Sequence, residues 1–305
     1  MTTTTQPAPA LPLVAPLAWI GRSALLGVGY LGGLGNLLLA ALHALVRLRA
    51  RGTAASFVPA VSRQLGWMLG MGFPLVGLVH VGIGSFLSMQ AYFGGTFVEG
   101  TGAVVGVGLI RNVAPLLAGM TLAGLFAARI TAELRGGSRK GLDGDPGWVA
   151  DRAVVQGRQA DPRPAPAPGR VALVRITAAL VAGPVLVFWA VLVGTVVGWQ
   201  VAQTLLGVST QVFFSMFLEM IWVRDVLGLI AKGTAFAFFA ALFACHEGLR
   251  GPSAPGPDSD SVSVAACRAA CLASAAILIV NSGWFLLLYH VGATFGPTLL
   301  APPAP

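Results

Sequence analysis

Four polar side chains stand in or beside long apolar runs: Gln90, Arg111, Asn112 and Lys232. An ionised group at the centre of a bilayer costs at least about 2.5 kcal/mol even on lenient insertion scales. Such groups persist where they pair, line a polar cavity or reach the interface. The chemistry open to these four is recognition of a polar group by charge and hydrogen bonds. Lys232 has two readings of equal standing: its stem snorkels to the interface, or its ammonium faces a cavity shared with Arg111 and Gln90. Arg111 and Arg129 share one apolar run and are separated by about 27 Å of helix, so they mark its opposite ends. Glu133 follows Arg129 by one helical turn, which makes an i,i+4 pair available. Arg224 and Asp225 read as interface anchors at the mouth of a later run.

Catalytic signatures are missing from the sequence. It holds no phosphate-loop pattern of the Walker type, no His-x-x-x-His pair and no nucleophile elbow. His80, His246 and His290 fall on separate apolar runs and form no ligand set. Cys245, Cys267 and Cys271 are expected to be inert buried thiols. Cys245, His246 and Glu247 are contiguous and point in different directions on a helix, so they make no triad. The glycines at 29, 32, 33 and 35, and those scattered from 66 to 108, are small surfaces for close helix packing. An energy source would therefore have to be a partner.

The elements that must position these residues are membrane spans. The chain has 305 residues, 56% hydrophobic and 10% charged, too few charges to cover a water-soluble globule. Five stretches are long and apolar enough to cross: 69–93, 102–134, 171–205, 226–249 and 262–290. A sixth, 11–46, contains Arg22, Asn36 and His43 and a glycine-rich centre. It either spans or lies along the interface. The connection 135–175 carries eight of the 19 Lys and Arg. The stretch 47–63 is also basic, whereas 94–101 and 207–221 contain Glu99 and Glu219 and no Lys or Arg. Basic connections face the cytoplasm, so 47–63, 135–175 and 251–261 are expected inside. Within 135–170, residues 148–156 suit a short helix and 162–168 form a proline-rich linker.

Several segments together resemble the MlaE/YrbE family of permeases. The strongest is Leu109-Ile-Arg-Asn-Val-Ala-Pro-Leu-Leu-Ala-Gly119 followed by Ala127-Ala-Arg-Ile-Thr-Ala-Glu-Leu134. The family mark there is Arg-Glu-x-x-Pro-Leu-Leu, then Ala-Gly-Arg and Ala-Glu-Leu-Gly. Leu87-Ser-Met-Gln90 with Gly94 is similar to the end of the family's first span. Asp151–Gly157 with Asp161-Pro162 resembles its coupling helix. Arg224-Asp-Val-Leu-Gly-Leu-Ile-Ala-Lys232 and Cys245-His-Glu-Gly248 are similar to two later elements, and Ile279-Val-Asn281 with Trp284 resembles the B-type actinobacterial subunit. The match runs from about Arg63 to Tyr289. Asn112 stands where the family usually has Glu, and Leu125 where it has Arg.

The resemblance implies an all-α integral membrane protein with five transmembrane helices, an N-terminal interfacial or re-entrant helix and a cytoplasmic coupling helix. Its division would be a disordered tail at 1–10, an interfacial segment at 11–64, a permease domain at 65–290 with its coupling loop at 135–170, and an extracytoplasmic tail at 291–305. It implies a non-enzymatic permease subunit of an ABC-type MCE lipid transporter in the plasma membrane, N-terminus on the cytoplasmic side. The expected partners are a second permease, ABC ATPase subunits that bind ATP and Mg, MCE-domain proteins and a lipid. No cofactor is expected in this chain. Gln90, Arg111, Asn112 and Lys232 would contact the lipid headgroup; Glu133, Asp151, Arg152, Val154, Val155 and Gly157 would couple to the ATPase. A non-transporting scaffold that holds MCE proteins or a partner permease is the alternative. A proton-driven carrier ranks below both, since the only carboxylates in the five runs, Glu133 and Glu247, lie near their cytoplasmic ends.

Overall fold

The computed structural model describes residues 14–51, 54–93, 100–137, 167–221, 223–250 and 258–295. Among them every extended element is helical. The helices are α1 (Val14–Arg51), α2 (Ala54–Phe93), α3 (Thr101–Gly108), a π-helical turn (Leu109–Val113), α4 (Ala114–Gly137), α5 (Pro168–Leu206), α6 (Thr210–Glu219), α7 (Val223–Leu249) and α8 (Asp258–Phe295). Large apolar side chains point outward along the bundle: Leu78, Ile279 and Leu286 are each at least 70% exposed. In water that surface would be a liability; in hydrocarbon it is the favoured one.

Small residues decide how the helices meet. A Cβ at Gly84 of α2 would collide with the Gly194 carbonyl of α5, and one at Gly183 of α5 with the Gly233 carbonyl of α7. Backbones at that separation gain dispersion contacts that larger side chains would prevent. Ser88 Oγ donates to the Gly198 carbonyl at 2.7 Å, and Trp189 Nε1 to the Phe73 carbonyl at 2.9 Å. Facing residues rise together in number, so α2 and α5 run parallel. The same holds for α4 and α7, where Gly119 meets Phe236 and Leu134 meets Gly248. α5 ends at Gly207, whose φ of 70° is the left-handed cap conformation that glycine supplies. Ser209 then caps α6 by accepting from the Val212 N–H.

Among the described residues six helical stretches, one more than expected, are long and apolar enough to cross a membrane. The addition is Trp19–Leu48 within α1. Its glycine-rich centre does not interrupt the helix. Glycine costs about 1 kcal/mol of helix propensity, whereas an unpaired backbone group in hydrocarbon costs several.

The contacts of α1 fix its course at the bundle. Tyr30 packs on Phe243, His246 and Arg250 of α7, Gly33 faces His246, and Ala40 faces Gly169 of α5. Gly183 and Gly233 mark one level of the antiparallel α5–α7 pair. Fourteen residues further toward the basic end lie Gly169 on α5 and Glu247 on α7. Tyr30, Gly33 and Ala40 therefore touch the bundle at about one depth, although about 15 Å of helix separates the first from the last. This section of α1 lies across the basic end of the bundle. At the other terminus, α8 continues to Phe295, past the limit of 290 read from the sequence.

Candidate functional site: two polar clusters at opposite ends of the bundle

The first cluster is built on the π-helical turn. An α-helix would have the N–H of residue 115 donate to the Arg111 carbonyl, but Pro115 has no N–H. The local register also widens, with the Ala114 N–H donating five residues back to the Leu109 carbonyl. Such turns gather at functional sites because they free backbone groups and re-aim side chains. Lys232 Nζ of α7 donates to the Arg111 carbonyl at 2.8 Å. Its ammonium also lies 4.4 Å from the Phe285 ring centroid and 6.0 Å from that of Trp284, both on α8. Lys232 is 3% exposed, so it is held inside rather than snorkelling.

The Arg111 guanidinium grips Asp225 through two parallel bonds, Nε to Oδ1 at 3.0 Å and Nη2 to Oδ2 at 3.1 Å, and donates to the Met220 carbonyl. This fork geometry is strong and directional. The Asp225 side chain is 9% exposed and that of Arg111 35%, so the pair is partly open at its Arg111 side. Asn281 of α8 donates from Nδ2 to Asn112 Oδ1 at 3.0 Å, and Asn281 Oδ1 is buried without a hydrogen-bond partner. The π turn, α7 and α8 thus bring Arg111, Asn112, Asp225, Lys232 and Asn281 together. Arg111, Arg224 and Lys232 are three cations, with Arg224 Nε 4.0 Å from Asp225 Oδ1; among the described ion pairs the cluster's carboxylate is Asp225 alone. Gln90 lies exposed near the end of α2, and no described contact joins it to the others.

The second cluster is about 36 Å away along α4, the helical length from Arg111 to Arg135. Glu133 accepts from Arg129 and from Arg175 Nη2 of α5, and Arg129 lies 5.3 Å from the Trp67 ring of α2. Glu247 of α7 is fully buried, with Arg250 Nη1 at 3.6 Å and Arg268 Nη1 of α8 at 3.7 Å. Arg135 donates twice to the Glu247 carbonyl, at 3.2 and 3.1 Å. The ends of α4, α5, α7 and α8 are thereby laced together where the 138–166 connection departs. Asp151, Arg152, Val154, Val155 and Gly157 lie outside the described residues.

Sequence reasoning read Asp225 as an interface anchor, and the structure makes it the counter-ion of Arg111. The available signal was the cost of an arginine near an apolar run, which calls for a carboxylate at the same depth. Cys267 and Cys271 are exposed on α8 rather than buried; Cys245 is buried. Sulfhydryls tolerate a hydrocarbon-facing position because they behave as small apolar groups. Among the described residues no group of three His, Cys, Asp or Glu is placed to hold a metal.

A bundle of long helices with lipid-compatible surfaces and polar clusters at each end is the build of a multi-pass membrane protein. The sequence matches the family described as Permease MlaE over residues 61–140 and 166–286. The chain belongs to that family. It is also similar to a probable ABC transporter permease protein of Rickettsia typhi, with 24% identity over 242 residues, 77% of this chain and 85% of the relative. A second relative, a probable ABC transporter permease protein of Rickettsia prowazekii, is 24% identical over 196 residues, 63% of this chain and 70% of the relative. The chain is thus an ABC-type permease, a class that works with a separate ATPase.

Proposed function

We propose that this chain is the permease subunit of an ABC-type lipid transporter of the MCE kind, paired with a second permease. The observation that carries the lipid part is the Arg111–Asp225–Lys232 cluster. Asp225 answers Arg111 at 3.0 Å with Arg224 at 4.0 Å, the Lys232 ammonium rests on the Arg111 carbonyl, and the Arg111 side chain stays 35% exposed. A phosphate or carboxylate headgroup would supply the missing negative charge while its tails stay in hydrocarbon. Asn112 and Asn281 add neutral hydrogen-bonding capacity to the same wall. Gln90 would join only if substrate or a partner reorganised the end of α2.

Work enters at the other end. The connection 135–170 would lie in the cytoplasm, with Asp151, Arg152, Val154, Val155 and Gly157 seated on the ATPase, which holds ATP and Mg. The Glu133–Arg129–Arg175, Glu247–Arg135 and Glu247–Arg268 links join the helix ends around that connection, so a push there would move α4, α5, α7 and α8 together. MCE proteins would receive or deliver lipid at the opposite face. The N-terminal segment would then lie on the cytoplasmic side and the C-terminus outside, a reading supported by the basic connections and the even number of crossings between 63 and 250.

Asp151→Lys combined with Val155→Glu tests the coupling half. ATPase co-purification should fall sharply while the chain still reaches the membrane; unchanged co-purification would contradict the assignment. A scaffold would tolerate the same variant without loss of lipid movement.

A further inference from the structure

Where α1 crosses the ends of α5 and α7 it leaves a cavity of about 300 Å³, bounded by Gly33, Asn36 and Leu37 of α1 and by His246, Leu249 and Arg250 of α7. The volume is at the small end of ligand sites and fits a headgroup rather than a whole lipid. Its walls are mostly apolar, with polar groups on two sides. Asn36 is exposed on α1, and the Arg250 side chain is 46% exposed at the end of α7. His246 is 8% exposed, and its Nε2 is buried with no hydrogen-bond partner. Gly33 lets α1 pack directly on the His246 ring, since a Cβ there would stand 2.7 Å from Cε1. Tyr30 holds two of the lining side chains, edge-on to His246 at 4.8 Å and under Arg250 at 5.1 Å.

Charge selects the occupant. Arg250 and Arg268 both face the Glu247 carboxylate, so one negative charge answers two guanidinium groups. The cavity opens at the depth where α7 ends, α5 begins and α1 runs across, which is the level of lipid headgroups at the basic end. We infer that this cavity binds the phosphate of an anionic phospholipid from the adjoining leaflet, at a site distinct from the Arg111–Lys232 cluster. Arg250 and the Asn36 amide would donate to phosphate oxygens from the rim. The glycerol would rest on Leu37 and Leu249. A lipid seated there clamps α1 to the basic end, beside the connection through which the ATPase would act. Unlike the headgroup role of Arg111, this site does not depend on the lipid being cargo.

The test uses the full chain purified with its own subunits and equilibrated in phosphatidylcholine vesicles with or without phosphatidylglycerol. Lipid retained after washing is measured by mass spectrometry, and a phosphatidylglycerol with a photoreactive group near the headgroup maps the site. Wild type should retain phosphatidylglycerol in preference to phosphatidylcholine and cross-link to α1 and the end of α7. Arg250→Gln should lower retention roughly tenfold, the worth of one charge-assisted hydrogen bond. Because Arg250→Gln also strips a partner from Glu247, Asn36→Trp serves as a second variant: it fills the cavity from an exposed position and should do the same. Arg111→Gln should leave the cross-link to α1 and the end of α7 in place, whatever it does to lipid held at the opposite end. Equal retention of both lipids, or full retention by both cavity variants, would overturn the inference. So would displacement by inorganic phosphate alone, which marks a free-anion site, or cross-linking to residues 138–166, which marks a cavity covered by the chain itself. Loss of that cross-link in Arg111→Gln alone would place the lipid in the transport cluster, removing this site while sparing the proposed function.

Discussion

Lys232 completes a hydrogen bond that Pro115 takes away. Its Nζ lies 2.8 Å from the Arg111 carbonyl, the acceptor that an N–H at position 115 would otherwise satisfy. A buried lysine and a proline on different helices are therefore energetically linked through one backbone oxygen. Lys232→Met should destabilise the chain, because the carbonyl is left without this donor. In a Pro115→Ala background the restored N–H competes for that carbonyl, and the same substitution should cost less. A double-mutant cycle read by thermal unfolding in detergent should give a coupling of about 0.5–3 kcal/mol. Strict additivity would mean the two residues act separately.

The forked Arg111–Asp225 pair makes a second prediction. Asp225→Asn removes the charge that neutralises Arg111 but keeps the shape. Loss of a charge-assisted fork in a half-buried setting should cost on the order of 1–3 kcal/mol. Arg111→Gln combined with Asp225→Asn should recover part of that loss, since no uncompensated charge remains. A double variant no more stable than Asp225→Asn alone would argue that the pair does not hold the π turn in place.

Two glycines two residues apart on α2 offer a contrast within one helix. A methyl at Gly84 would strike the Gly194 carbonyl, whereas one at Gly82 meets nothing within 4 Å. Gly84→Ala should lower stability by about 1–3 kcal/mol through overpacking, and Gly82→Ala should be neutral or slightly stabilising. Equal effects in a thermal-shift assay would contradict the parallel α2–α5 interface.

These residues also show what could be read in advance. The helical class followed from composition alone, since so few charges cannot clothe a soluble globule. The two-ended polarity followed from helix length between Arg111 and Arg129. The course of α1 was left between two readings because hydropathy measures length and apolarity, not depth; contacts at Tyr30, Gly33 and Ala40 were needed to show it crossing at one level. The pairing of Arg111 with Asp225 depends on α4 and α7 running parallel at a fixed offset, which no local pattern encodes. Gln90 was grouped with Arg111 on the strength of a shared end of the bundle, yet it projects outward. Facing direction is a tertiary fact.

Glu247 gives a prediction at the basic end. It is fully buried between Arg250 and Arg268, with Arg135 bound to its carbonyl. Glu247→Gln should loosen the junction of α7 with α8 while the carbonyl bonds from Arg135 remain. Amide exchange should therefore rise at the ends of α7 and α8 more than at the end of α4. A uniform rise across all three would assign the junction to backbone packing rather than to the carboxylate.

ATP-driven movement of labelled phospholipid by the assembly reconstituted in vesicles tests the central claim most directly. The account predicts transport that requires ATP, falls by roughly tenfold or more in Arg111→Ala as a charge-assisted headgroup contact is lost, and leaves the ATPase bound in that variant. Lipid movement indifferent to ATP, or undiminished in Arg111→Ala, would contradict it.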